Sequence, residues 1–341
     1  MANHHYVPQF YLKRFCDPTA PENQEPYLWV SARGGTEWKK RAPKNVAAKP
    51  NLYAVPSKDG SDQMVEKMFG AIESSVAEIY RRRFDIYDEP HGRDEREMFA
   101  TFVALFAIRS PFYRRNIAKF SEDLAQMSLR MMASRPEAVE HAFKKMEAET
   151  GEKAKLTVKE YQDAVLGEKF KLEAAPHFIT AMSLQQVETF ARIIYAMQWR
   201  FLIAPGGGFF ATADSPAHWQ DLTPRPPMFR GHGLAMKNVE VVLPLSRRFC
   251  FLARWNRATG VVLATPAQVR EITNRTISWS DAEVYSPVPF KKVLFGENFS
   301  RPLYPLLANP EPGFVRPPAS LVLPRENLRV DVAGESPDQD A

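Results

Sequence analysis

The chain has 341 residues, 45% hydrophobic and 25% charged, with a net charge of +5. That is ordinary for a folded globular protein, and no apolar run approaches the roughly 18 residues of a membrane span. Cys16 and Cys250 are the only two cysteines; with no CxxC and no apolar signal region, they point to a reducing cytoplasm and away from a thiolate zinc site.

The first dozen residues are too ordered in pattern for a loose terminus. His4 and His5 stand side by side ahead of Tyr6-Val7-Pro8. The residue before a proline is pushed toward extended geometry, and Pro8 suits the first position of a helical turn. Tyr11, Leu12 and Phe15 then fall at helical spacing. Both histidines are thus expected on an extended segment fixed by a packed turn. Residues 26–38 read as a hairpin, with Tyr27-Leu28-Trp29-Val30 and Thr36-Glu37-Trp38 around Arg33-Gly34-Gly35. Residues 51–55 read as a third strand.

The pattern then changes period. Ser61 or Asp62 caps a helix from about Gln63, with Val65, Met68, Phe69, Ile72, Val76 and Ile79 as its apolar stripe. Glu66 and Glu73 lie seven residues apart, two turns along one line beside that stripe. A second helix, from about Asp94 to Arg109, is apolar most of the way round, as befits a core helix. Arg109 at its end either answers the helix dipole or holds a carboxylate or phosphate. Helix continues past Ser110-Pro111 to about Met132, and another begins at Ser134-Pro136. Thr157-x-x-Glu160 and Ser183-x-x-Gln186 read as capping boxes, the second opening a helix to about Leu202. Pro205-Gly206-Gly207-Gly208 would then be its C-cap.

Strand patterns return after this point. Residues 209–213 form a strand that delivers Asp214. A polar, Pro-rich loop spans about Trp219 to Asn238, and residues 239–245 and 249–255 make paired strands. Thr265-x-x-Gln268 opens a last helix that carries Asn274. The order β, α, β predicts an α+β fold in which a helical middle, about residues 61–202, packs with an N-terminal β-hairpin and C-terminal antiparallel strands. Residues 1–320 are read as one domain and 321–341 as an acidic, disordered tail.

The opening His4-His5-Tyr6-Val7-Pro8-Gln9-Phe10-Tyr11-Leu12 resembles the signature of the domain of unknown function 4238 family. Further similarities run in order down the chain: Tyr53, Glu66, Glu73, Arg109-Ser110-Pro111, Trp199, residues 210–216, Leu243-Pro244-Leu245-Ser246 and Asn274. They cover about residues 3 to 290. Where the chain has Ala213, the family more usually places a hydroxyl or amide beside the Asp, so Asp214 has one polar neighbour fewer. The resemblance implies a family rather than an activity.

The shared polar residues are His4, His5, Gln9, Glu66, Glu73, Arg109, Asp214 and Asn274. Histidine with carboxylates suits a divalent metal, for which His5, Glu66, Glu73 and Asp214 are the candidate ligands. Arginine suits a phosphate. Gln9 and Asn274 are candidate binding residues. With the mild basicity, the set favours a metal-dependent phosphodiester hydrolase resembling a nuclease, with nucleic acid as partner. The alternative is a non-catalytic binding module whose His/Glu/Arg/Asp network is structural. Residues Arg81-Arg82-Arg83 and Arg114-Arg115, beside Tyr80 and Tyr113, are the candidates for nucleic-acid contact by stacking. There is no GxxxxGK[ST] loop and no GxSxG elbow.

Overall fold

In the computed structural model the described residues are 3–50, 52, 55–57, 60–62, 64–222, 233–256, 258–291 and 328–332. Contacts divide the chain into two compact units, residues 1–116 with 180–314 and residues 117–179 with 315–341. The fold is α+β, with hairpin strands at the start, helices through the middle and antiparallel sheets toward the C-terminal end.

Strand β1 (Asn3–His5) leads into helix α1 (Gln9–Leu12), with extended Pro8 at its boundary. Tyr11, Leu12 and Phe15 are wholly buried, as their helical spacing requires. The hairpin forms from β2 (Leu28–Ala32) and β3 (Lys39–Arg41), paired antiparallel with Leu28 opposite Arg41. Its second strand starts later than the sequence suggests. Trp38 leaves the ladder because its indole donates to the Phe290 carbonyl at 3.0 Å and packs on the Phe290 ring. Strand β4 (Ala48–Pro50) pairs with β1 and sets His5 opposite Ala48. A small hairpin follows, β5 (Val55–Ser57) with β6 (Gly60–Asp62). Asn51, Tyr53, Ala54, Lys58, Asp59 and Gln63 lie outside the described residues.

Helix α2 (Met64–Arg82) buries Phe69, Val76, Ile79 and Tyr80. Helix α3 (Gly92–Arg109) is buried without break from residue 102 to its end. Ser110 takes an extended conformation, so α3 stops there rather than running on through Pro111. The Ser110 hydroxyl accepts from Tyr113 N–H at 3.1 Å and opens α4 (Pro111–Ala133).

Helix α5 (Pro136–Thr150) ends on Gly151, whose φ of 73° lies in the left-handed region glycine tolerates. Helix α6 (Val158–Leu166) carries the expected Thr157–Glu160 capping box. Strand β7 (Phe170–Ala174) comes next, and α7 (Pro176–Gln185) follows it. In the unit holding residues 117–179, the Phe143 and Tyr161 rings meet edge to face and Gln162 donates to the Ala133 carbonyl at 2.6 Å.

Ser183 does not cap a helix; it lies inside α7, and α8 (Val187–Ala196) is a separate short helix. Residues Gln198–Ile203 form strand β8, where the sequence suggests continued helix. The reason is tertiary. Trp199 and Phe201 alternate with Arg200 and Leu202, so one face of the strand meets the aromatic side chains of α3 and the other meets the last helix. The glycine run therefore follows a strand, not a helix.

Strands β9 (Thr212–Ala213), β10 (His218–Asp221), β11 (Val239–Pro244), β12 (Phe249–Arg254) and β13 (Gly260–Leu263) precede helix α9 (Pro266–Trp279) and β14 (Glu283–Ser286). The loop expected over 219–238 begins later, after β10, and residues 223–232 lie outside the described residues. Five strands make one sheet in the order β10-β11-β12-β8-β13, antiparallel except for β13 against β8. Four make another in the order β3-β2-β14-β9. In that sheet the N-terminal hairpin and the C-terminal strands share one hydrogen-bonded ladder. Strand β15 (Leu328–Val332) pairs with β7; the rest of the expected acidic tail lies outside the described residues.

Candidate functional site

His4 and His5 project to opposite sides of β1, as successive strand residues must. His4 is buried, 2% exposed, while His5 is half-buried. Arg109 reaches this strand from the end of α3 and donates to the His5 carbonyl. Its other terminal nitrogen donates to Glu73 of α2 at 2.5 Å, and its guanidinium lies 4.3 Å from the Phe69 ring centre. Arg109 is 4% exposed. It thus ties three elements together, and its known donors point at protein acceptors rather than at open space.

On this support sits the pair His5 and Glu66. Burial holds the His5 imidazole below its ordinary value of 6.5, with the Arg109 charge acting the same way. A hydrogen bond to the Lys44 backbone and the charge of Glu66 oppose the shift. His5 Nε2 and Glu66 Oε2 are both buried and have no hydrogen-bond partner among the described residues. Burial raises the Glu73 carboxyl and the charge of Glu66 adds to this, while Arg109 pulls it back. The sequence-derived residues His5, Glu66, Glu73 and Arg109 are therefore electrostatic neighbours, drawn from a strand and two helices.

Asp214 belongs to a different group. Its carboxylate accepts from the backbone N–H groups of Asp281, Ala282 and Glu283, at 2.6, 2.6 and 2.9 Å. Burial raises its affinity for a proton and these three bonds lower it. Its charge also acts on the phenol of Tyr6, the residue after His5, and on Arg33. Tyr6 hydrogen-bonds Tyr285, whose hydroxyl donates to Glu283 at 2.8 Å. Asp214 thus fastens the turn between α9 and β14. Gln9 is exposed at the start of α1. Asn274 lines a separate groove of about 420 Å³ with the Gly206–Gly208 run. Among the described residues, no group of three or more His, Cys, Asp or Glu side chains is placed to hold a metal ion.

The stacking residues expected for nucleic acid are not available. Tyr80 is fully buried beneath Arg14, and Tyr113 is buried against Phe190. Arg82 and Arg83 pair with Glu95, and Arg115 pairs with Asp281. Arg114 is buried and donates to Thr180 at 3.1 Å.

Sequence reasoning missed a basic cleft of about 360 Å³, lined in part by Lys13, Arg14, Arg247 and Arg248. Its carboxylates are already engaged. Asp85 pairs with Arg14 at 2.7 Å, and Asp17 accepts from Thr19 and Trp29. Lys13, Arg247 and Arg248 have no carboxylate partner among the described residues. The signal was present as Lys13-Arg14 and Arg247-Arg248, but nothing in the sequence brings two such pairs to one cleft.

A family model described as protein of unknown function (DUF4238) matches residues 3–287. No curated protein and no solved structure matches the chain. Among the described residues no helix is long and apolar enough to cross a membrane.

Proposed function

This chain belongs to the DUF4238 family, and from that premise we propose that it is a cytoplasmic, nuclease-like phosphodiester hydrolase whose reacting pair is His5 and Glu66. The observation that carries the reading is the pair of buried atoms His5 Nε2 and Glu66 Oε2, unpartnered among the described residues, on groups that feel each other's charge. A buried polar atom without a partner calls for an explanation, and a reacting role is one. A lowered imidazole is neutral at physiological pH, the form a general base requires. Glu66 stabilises the imidazolium that forms when His5 takes a proton from water. Glu73 and Arg109 position the pair, Arg109 by holding the His5 backbone. The net charge of +5 suits a substrate carrying phosphate. A magnesium ion needs only one or two protein carboxylates when substrate phosphates complete its shell, and Glu66 is the available one.

The test is cleavage of RNA and DNA by purified protein, with magnesium and with chelator, for wild type, His5→Ala and Glu66→Gln. General acid–base catalysis contributes about 10²–10⁴-fold, so each variant should lose activity on that scale. Folding is checked by melting temperature. Cleavage unchanged in His5→Ala would assign the activity to a contaminant and remove the proposal. Loss of stability in both variants, with no wild-type activity, would favour a structural network in a binding module.

A further inference from the structure

The strand register sets a second charged group on the α9 side of the five-stranded sheet. Gln220, Glu240, Arg254 and Gln198 stand opposite one another in one row, and Val242, Leu252 and Arg200 stand in the next. This face is covered by α9, because Leu202, Val242 and Leu252 pack with Val269 and Ile272. Arg275 reaches down from α9 to Glu240 at 2.6 Å, and Arg254 donates to the other oxygen of the same carboxylate. Glu240 is 1% exposed. Glu271 also approaches Arg275, at 3.7 Å, but lies largely in solvent.

Two guanidinium groups therefore share one buried carboxylate, and a third, Arg200, stands in the neighbouring row. Arg200 meets no acceptor among the described residues, and its Nε is buried; Arg275 Nε and Nη2 are buried and unpartnered too. Buried donors without an acceptor are costly, and a bound anion removes that cost. A cavity of about 160 Å³ opens beside Arg200 and Arg254, walled also by Gln198, Leu202, Leu252 and Gln268. That is room for roughly five waters at about 30 Å³ each.

We infer that this cavity binds the carboxylate of a small aliphatic acid. Arg200 and Arg254 offer planar donor forks that match a carboxylate. Leu202 and Leu252 offer an apolar wall suited to a short hydrocarbon body, which inorganic phosphate lacks. The inference stands apart from the His5 site and does not depend on it.

The experiment is thermal unfolding of the full chain in sodium butyrate, in sodium phosphate and in sodium chloride at equal ionic strength. Butyrate above its Kd should raise Tm by about 2–4 °C per tenfold in concentration, beyond any chloride effect. Arg200→Leu should abolish this response while melting at or above the wild-type temperature without butyrate, since a buried donor without an acceptor is removed. If that variant does not fold, Arg200→Lys keeps the charge without the fork and should weaken the response at least tenfold in apparent Kd. Equal shifts in chloride and butyrate, equal shifts in phosphate and butyrate, or a wild-type response in Arg200→Lys would each overturn the assignment.

Discussion

Three consecutive backbone N–H groups converge on the Asp214 carboxylate, at the turn between α9 and β14. Asp214→Ala leaves all three without this acceptor, so the expected cost is roughly 3–5 kcal/mol in a urea titration. Asp214→Asn keeps one acceptor oxygen and should cost about half as much. A stable Asp214→Ala protein would show that the turn is held by something else. The buried imidazoles give a pH prediction at the same scale. Burial holds His218 well below 6.5, with Arg275 adding to the effect, and burial holds His5 below 6.5 as well. In the unfolded chain both take a proton near 6.5, whereas in the folded chain they do not until lower pH. Stability from these groups is thus full above about pH 6.5 and declines as pH falls from there toward the folded values. The His218→Gln variant should flatten the decline below pH 6.5 relative to wild type, as read from Tm across pH. If His5 is the general base, the acidic limb of the activity profile should also fall below 6.5.

At the level of elements, α1 is four residues long and too short to persist alone. Tyr11 holds it in place, donating to the Pro244 carbonyl at 2.7 Å and sharing a 2.6 Å hydrogen bond with Thr212 Oγ1. One phenol therefore connects the N-terminal segment to a strand of each large sheet. Tyr11→Phe should lower unfolding free energy by about 2–3 kcal/mol, since two buried partners lose a bond while ring packing is kept. Helix α1 was legible in the sequence because the burial of Tyr11, Leu12 and Phe15 follows helical period. Helices α2 and α3 and the α6 and α9 capping boxes were legible for the same local reasons. Strand β8 was not: Gln198–Ile203 follows a helical stripe, and its identity is decided by β12 on one side and β13 on the other. The site divides likewise. Glu66 and Glu73 announce themselves by spacing on one helix. That Arg109 is committed to Glu73 and the His5 carbonyl, or that Arg200 is left uncompensated, depends on contacts between residues far apart in the chain.

Across the larger unit, the sheet β3-β2-β14-β9 is assembled from residues at both ends of the described chain. Strand β14 lies between β2 and β9, with Glu283 opposite Ala32 and Val284 opposite both Ser31 and Ala213. It also supplies Glu283 N–H to Asp214, and the turn before it supplies the other two amides. A chain ending at Ser280 therefore loses a central strand, exposes the facing edges of β2 and β9 and strands the Asp214 charge in the core at once. These losses are coupled, so their sum exceeds the roughly 5–15 kcal/mol that holds a typical domain. Such a chain should show no cooperative unfolding transition by circular dichroism, whereas a chain ending at Lys291 keeps β14 and Phe290 against Trp38 and should retain one. A cooperative transition in the chain ending at Ser280 would mean that the hairpin and β9 hold their places without the strand between them.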